Sequence, residues 1–417
     1  MTRVCKLFIS GALACLGGAL ILHLLVLGGH GAVWNGLIHL ILFGWISGFI
    51  FAVNYHTMPV FTGRAFAWPA VQIAHWAAWI VGVLAASAGL IRHQPALYRL
   101  GLALEWLSGL LFLVNVLSLL RSPRRPGHMP GPPAFQPSDR LATVATKAAG
   151  LCLPLALTLL GLVEIRAIGP GWYLAAEHAA TLGWMLLMIV GVAAHVLPRW
   201  SGVAIRRPDL LRLALGSHLA ALALMVPALG LGITWMFGLG ASLMTLALLL
   251  EAWLLRPALT PAQSGPVPLF RGSALSPISL RCIRAAAVYL ALGIGLGVIF
   301  AFNRALGGGL RPLHAELNLW GFTGLLIYGM AYHMIPRFMG RALPRPRLAH
   351  WQSIVAVAGV AVASLGWCLL LDWPPVARPL LVAGGALEAL AALMFAAIML
   401  ETLYPALINA ARLARAR

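Results

Sequence analysis

The sequence is poor in charge. Only 9% of its 417 residues are charged, whereas 61% are hydrophobic. A soluble domain with that balance could not cover its surface with polar groups, so the solvent around this chain is lipid. No segment is polar enough to form a water-soluble domain. Because a spanning helix needs about 20 apolar residues, the composition predicts one bilayer-embedded domain of many short-looped helices.

Acidic residues are especially scarce, with 10 Asp and Glu against 29 Lys and Arg and a formal charge of +19. The basic residues are spread over short loops instead of along one helix or tail, which argues against a nucleic-acid partner. With a cytoplasmic N-terminus, all but six of them fall on the cytoplasmic side. Those six are Arg92, Arg99, Arg166, Arg304, Arg311 and Arg378. The positive-inside rule therefore predicts that both termini are cytoplasmic.

Cysteines are few and unpatterned. They form no C-x-x-C pair and have no zinc-site spacing, so we assign them to packing. They are Cys5, Cys15, Cys152, Cys282 and Cys368. The N-terminus resembles a signal peptide, but we expect it to be retained as the first span, because later repeats have a helix in the same place.

Apolar windows between loop signals predict an all-α polytopic membrane protein of about twelve transmembrane helices. The predicted spans are 5–28, 33–57, 70–91, 98–120, 145–166, 173–197, 210–229, 232–255, 281–303, 313–335, 351–371 and 379–403. Polar segments rich in Pro and Gly interrupt the series as cytoplasmic linkers. The predicted organisation is a four-helix repeat at 1–120, a linker at 121–140, a second repeat at 141–255, a linker at 256–279 and a third repeat at 280–417.

One pattern marks the second helix of each repeat. A polar residue is followed seventeen residues later by His-x-x-Pro and then by Gly. The three pairs are His39 with His56, His178 with His195, and Glu316 with His333, and His314 precedes the glutamate by two residues. Three copies at one spacing indicate internal repeats. Because each copy has an even number of helices, we predict a pseudo-threefold arrangement about an axis normal to the membrane.

Seventeen helical residues rise about 26 Å, so the two polar positions of one repeat lie near opposite membrane faces and cannot hold one small cofactor together. The outer set is His39, His178 and His314, and the inner set is His56, His195 and His333. An imidazole in hydrocarbon needs haem iron, copper or a hydrogen-bonding neighbour. Repetition favours a cofactor at the outer set over helix packing, whereas the interfacial inner set favours structural roles. His23 follows no pattern and receives no assignment.

Carboxylates at membrane depth need a proton or a partner. Glu105 and Glu388 stand at matching places in the fourth helix of the first and third repeats, and Glu316 stands in the third motif. Such groups suit a proton path or a quinol-type hydrogen-bonding site. Glu251 and Glu401, near the cytoplasmic ends, are expected to pair with Arg.

The helix number and the motif resemble the catalytic subunit I of the haem–copper oxidases. The segment from His314 to His333 looks like that family's tenth helix, where an H-x-H pair serves two haems. His39 stands where the family's second helix carries a low-spin haem ligand, and His178 opens the sixth helix, where the family places a copper ligand. The resemblance implies haem b, with copper as a further candidate.

The sequence also departs from that family. Glu316 replaces the second histidine of H-x-H, the seventh helix has no His-His pair, and the sixth has no His-Pro-Glu-Val-Tyr. The NnrS family, twelve-span haem- and copper-containing proteins of nitric-oxide and denitrification physiology, is a second resemblance. Its H-A-x-x-x-G and H-A-H-x-x-x-x-G motifs look like the segments His178 to Gly183 and His314 to Gly321.

These resemblances imply a haem-binding protein of the bacterial inner membrane, in nitric-oxide or respiratory redox physiology. Its partners would be lipid and other respiratory subunits or quinol. The metal-ligand candidates are His39, His178 and His314, and the wider cofactor site adds Glu316, His333, His56 and His195. Because the oxidase catalytic pairs are missing, the alternative is a cofactor-free transporter or a scaffold subunit of a larger membrane complex.

Overall fold

In the computed structural model, the described residues are 1–126, 132–259 and 275–405, and their regular structure is entirely helical. Parts of both predicted linkers, 127–131 and 260–274, lie outside the described residues, as do residues 406–417 of the third predicted repeat. The helices are α1 Arg3–Leu27, α2 Gly31–Thr62, α3 Pro69–Ile91, α4 Pro95–Arg121, α5 Pro133–Glu164, α6 Gly171–Ser201, α7 Pro208–Leu231, α8 Thr234–Leu259, α9 Pro277–Phe302, α10 as successive segments Arg304–Ala315, Glu316–Gly324 and Leu325–Phe338, α11 Pro346–Leu369 and α12 Pro374–Leu403.

These helices establish a polytopic membrane protein. Within the described residues, eleven continuous helices, all but α10, are long and apolar enough to cross a membrane. The predicted span 313–335 lies within the successive segments of α10. The orientation in the membrane and the division into three repeats remain predictions.

The three helices that carry the repeated motif contain π-helical segments. These segments are Leu40–Ile46 in α2, Ala179–Leu186 in α6 and Glu316–Gly324 in α10. They begin directly after His39 and His178 and two residues after His314. A π-helical turn adds a residue to the helical repeat and is frequent at functional sites. The three outer motif positions therefore share one local backbone feature.

The glycine of each motif ends its helix. Gly63, Gly202 and Gly340 have φ angles of 65°, 71° and 64°. A residue without Cβ adopts this left-handed conformation without steric cost, which makes glycine the usual residue after a helix end. The motif proline remains inside the helix in all three copies. Because the proline does not end the helix, α2 extends to Thr62, whereas the predicted span ended at 57.

The described chain falls into two compact units. The first comprises the described residues of Met1–His56, Ser276–Leu296 and Ala305–Arg417, and the second those of Thr57–Leu275 and Gly297–Arg304. In the first unit, α1 packs on α2 and α12, and α11 packs on α12 and on the π segment of α10. In the second unit, consecutive helices from α3 to α8 pack on one another.

Helix pairs in both units use the same close approach. Gly101 of α4 lies so near Ala86 of α3 that an added Cβ would overlap its backbone, and Gly384 of α12 lies equally near Ala363 of α11. Gly240 of α8 makes a similar approach to α7. Small residues allow helix backbones to come close in a bilayer, where lipid is as apolar as the side chains. These glycines therefore set the spacing of the helix pairs.

We expect Gly384→Ala to destabilise the first unit, because the new methyl group would overlap the Ala363 backbone. Overpacking of this kind costs roughly 1–3 kcal/mol. Thermal unfolding of the purified protein in detergent measures the loss. The control is Gly295→Ala in α9, where nothing lies within 4 Å of an added Cβ. Equal stability of the two variants would contradict the assigned role of Gly384.

Candidate functional site

A buried cluster of one imidazole and two carboxylates lies in the first unit. His23 comes from α1, Glu316 from the start of the π segment of α10, and Glu388 from the middle of α12. Their exposed fractions are 2%, 3% and 3%. Nε2 of His23 lies 2.7 Å from Oε2 of Glu388 and 3.9 Å from Oε2 of Glu316. One ligand atom from each residue lies within 4.8 Å of the other two.

Neighbouring side chains fix the positions of the cluster. The ring of Trp320 packs on the His23 ring with 4.8 Å between centroids, and Trp45 packs on Trp320 at 5.4 Å. On α11, Gly359 allows close approach to α12, since an added Cβ would lie 2.9 Å from Cγ of Glu388. The tryptophans orient the imidazole, and the glycine makes room for the carboxylate.

The cluster can hold protons or a cation. Oε1 of Glu316 and Oε1 of Glu388 are buried and accept no hydrogen bond from the described residues. An ionised carboxylate with an unused lone pair is costly in an apolar medium. Protonation or a bound positive ion would remove that cost.

Glu316 is a predicted site residue, whereas His23 has no predicted role and Glu388 is predicted only as a carboxylate at membrane depth. Glu388 and His23 are 365 residues apart in sequence. No short-range spacing connects them, and α1 carries no copy of the repeated motif. The only local signal is that each is an isolated polar residue in an apolar span.

Two of the predicted outer histidines interact within their own helices. His39 is buried, with 3% exposed, and its ring lies 4.7 Å from that of Phe43. His178 is half-buried, and its Nδ1 donates to the carbonyl of Leu174 at 2.9 Å. His39 belongs to the first unit and His178 to the second.

The third outer histidine, His314, lies in the first unit beside the cluster residue Glu316 in sequence. The amide of Asn318, one turn later, donates to the His314 carbonyl at 2.8 Å and lies 3.4 Å from its Nδ1. His314 and Glu316 therefore have different described partners, although only one residue separates them.

Two inner histidines, His56 and His333, belong to the first unit. His56 is half-buried, and its ring lies 3.8 Å from that of Phe338. His333 is 1% exposed, and its carbonyl accepts a hydrogen bond from Arg337 at 2.7 Å. Aromatic packing fits a structural role for His56, whereas the Arg337 contact involves only the backbone of His333.

His195, the inner histidine of the second unit, belongs to an ionic network. Its Nδ1 lies 2.9 Å from Oδ1 of Asp139, and Arg199 binds both carboxylate oxygens of Asp139 at 2.7 and 2.6 Å. Phe61 stacks on the His195 ring at 5.3 Å. A bidentate Arg–carboxylate pair is a strong, directional contact, so this network ties α5 to α6.

Other carboxylates differ in their partners. Glu401 pairs with Arg345 at 2.6 Å, which confirms its predicted pairing with an arginine. Glu251 was predicted to pair with an arginine, but its described partner is a histidine. Oε1 of Glu251 lies 3.4 Å from Nδ1 of His218. Both of these side chains are almost completely buried.

The geometry can be compared with known proteins. No protein-family model matches the sequence, and no curated protein matches it. In structure, the chain is similar to a haem–copper terminal oxidase that was solved as a dimer by cryo-electron microscopy. The likeness has a TM-score of 0.66 at 13% identity and covers 98% of this chain and 84% of the other. The chain therefore has the haem–copper oxidase fold, the class of membrane protein that its motifs resemble.

We expect Asp139→Asn to destabilise the second unit, because Arg199 and His195 lose their shared counter-charge. The free energy of unfolding should fall by roughly 1–3 kcal/mol. This loss is smaller than for a fully buried pair, because these side chains keep 13–19% of their surface exposed. Thermal unfolding in detergent provides the measurement. The control is Asp209→Asn, whose pair with Arg207 is more than half exposed. That variant should show no measurable change, and an equal loss in both would contradict the prediction.

Proposed function

We propose that the chain is a haem-binding redox protein of the bacterial inner membrane. The observation that carries the proposal is the haem–copper oxidase fold over nearly the whole chain. Imidazoles accompany it at matching places in α2 and α6, and His314 stands two residues before the matching place in α10. Haem and copper are proposed because proteins of the haem–copper oxidase class bind them. The histidines of this chain would be the metal ligands.

The donors fit haem chemically. Haem iron takes imidazole nitrogens as axial ligands, and a ligating histidine commonly donates its other ring N–H to a backbone carbonyl. His178 has this arrangement, since its Nδ1–H donates to Leu174 and its lone pair therefore stands on Nε2. His39 offers a buried imidazole ahead of a π segment.

We assign b-type haem to His39 and His314 in the first unit, and copper or a further haem to His178 in the second. The inner histidines hold the helix ends, and Glu316 belongs to its cluster with His23 and Glu388. A haem held by His39 and His314 would supply a one-electron couple, and a haem or copper held by His178 alone would leave a place for a small gas such as nitric oxide. The protein itself would bury the group, exclude water and orient the imidazoles.

The physiological role that we propose is electron transfer or gas binding in nitric-oxide or respiratory metabolism, in the manner of the NnrS family. Dioxygen reduction is not proposed, because the sequence lacks the paired histidines of the oxidases. Quinol or other respiratory subunits would be the redox partners in the membrane.

Absorption spectroscopy tests the proposal. Protein purified after haem-replete expression should show a Soret band and a positive pyridine-haemochrome assay, and His39→Ala should lose most of both. The control is His350→Ala, because that residue is exposed on α11. Wild-type protein without a Soret band would overturn the haem assignment and leave the cofactor-free transporter or scaffold as the better reading. A Soret band unchanged in His39→Ala would overturn His39 as the ligand.

A further inference from the structure

We infer that His23, Glu316 and Glu388 form a binding site for one divalent first-row transition-metal ion, separate from any haem. The three side chains come from α1, α10 and α12 and lie within the first unit. This inference does not rest on the proposed haem function, because none of the three residues is assigned there as a haem ligand.

Charge balance is the first argument. With both carboxyl groups ionised and the imidazole neutral, the cluster would carry two negative charges on side chains that are only 2–3% exposed. Within the described residues, the recorded ion pairs of both carboxylates are with His23 and not with Lys or Arg. One divalent cation would bring the net charge of the cluster to zero. Burial of unbalanced charge is costly in lipid, so the ionised form of the cluster would need a bound cation.

The unused oxygen atoms are the second argument. Oε1 of Glu316 and Oε1 of Glu388 are buried without a hydrogen bond from the described residues. A buried acceptor of this kind normally has a donor or an ion as partner. Each carboxylate therefore retains coordinating capacity beyond its contact with His23.

The distances are the third argument. Metal–nitrogen and metal–oxygen bonds of about 2.0–2.2 Å separate neighbouring ligand atoms by roughly 3–4 Å. Nε2 of His23 and Oε2 of Glu316 are already 3.9 Å apart. Nε2 of His23 and Oε2 of Glu388 are 2.7 Å apart, which is a hydrogen-bond distance. Metal binding would replace that hydrogen bond. The Glu388 carboxyl group would release its proton to solvent and coordinate as a carboxylate, with a small outward movement of Glu388.

The donor set narrows the choice of ion. One imidazole nitrogen and carboxylate oxygens suit Mn²⁺, Fe²⁺ or Zn²⁺, whereas copper(I) favours sulfur donors. Trp320 packs on the His23 ring and holds it in place for coordination. The fixed ring and the two carboxylates make a three-residue site on three different helices.

The test uses the full chain in detergent. Elemental analysis gives total manganese, iron and zinc, and a pyridine-haemochrome assay of the same sample gives haem iron to subtract. The expected result is one non-haem ion per wild-type chain. Chelator-treated protein is then titrated with Mn²⁺ and followed by electron paramagnetic resonance. Glu388→Gln should weaken Mn²⁺ binding by at least about tenfold.

The matched control is Glu105→Gln. Glu105 is equally buried and lies on α4 against Gly82, as Glu388 lies on α12 against Gly359. This variant should bind Mn²⁺ like the wild type. Wild-type protein that binds no non-haem ion, or equal binding by wild type and Glu388→Gln, would overturn the metal site and leave a proton-sharing cluster.

If Glu388→Gln fails to fold, pulsed electron paramagnetic resonance of the Mn²⁺-loaded wild type replaces it. A nitrogen coupling from one imidazole supports the site, and its absence overturns it. A missing Soret band, by contrast, bears only on the proposed haem function, so failures of the two proposals are distinguishable.

Discussion

The apolar solvent is the constraint on which the rest of this structure depends. Lipid offers no hydrogen-bond partner, so backbone groups pair within helices and polar side chains must find partners on other helices. The contact of His23 with Glu388 satisfies that requirement between α1 and α12. It also explains why the few polar residues of an apolar sequence gather in clusters instead of facing acyl chains singly.

Hydropathy predicted the spans well because it is a local property. The first predicted span, 5–28, and the last, 379–403, coincide closely with Arg3–Leu27 and Pro374–Leu403. The predicted end of α2 was wrong because a proline near a helix end is compatible both with termination and with continuation of the helix. The span predicted for α2 ended at 57, but the helix continues past Pro59 to Thr62 and is followed by a left-handed glycine. The π segments carry no simple sequence signature, so they were not predicted.

The candidate site was harder to predict than the fold because its members share no pattern. Repetition along one helix identified Glu316, whereas its partners depend on how α1 and α12 pack around α10. Those contacts connect residues hundreds of positions apart, and a single sequence gives no measure of such pairing. The same reasoning explains Glu251, whose partner His218 lies on the neighbouring helix, while the loop arginines suggested a different pairing.

Three helix pairs share a close glycine contact but differ in the residue that follows it by one helical turn. Gly101, Gly240 and Gly384 make similar close approaches in the pairs α3–α4, α7–α8 and α11–α12. Four residues after these glycines stand Glu105, Met244 and Glu388. Glycines on both helices of a pair, such as Gly359 and Gly384, set the backbone spacing, and the residue one turn after Gly101, Gly240 or Gly384 differs between the pairs. Since that residue is buried in all three pairs, its identity decides whether a helix pair presents a thioether or a carboxylate to its neighbours. Helix pairs with close approaches of this kind can thus carry a carboxylate in one pair and a thioether in another.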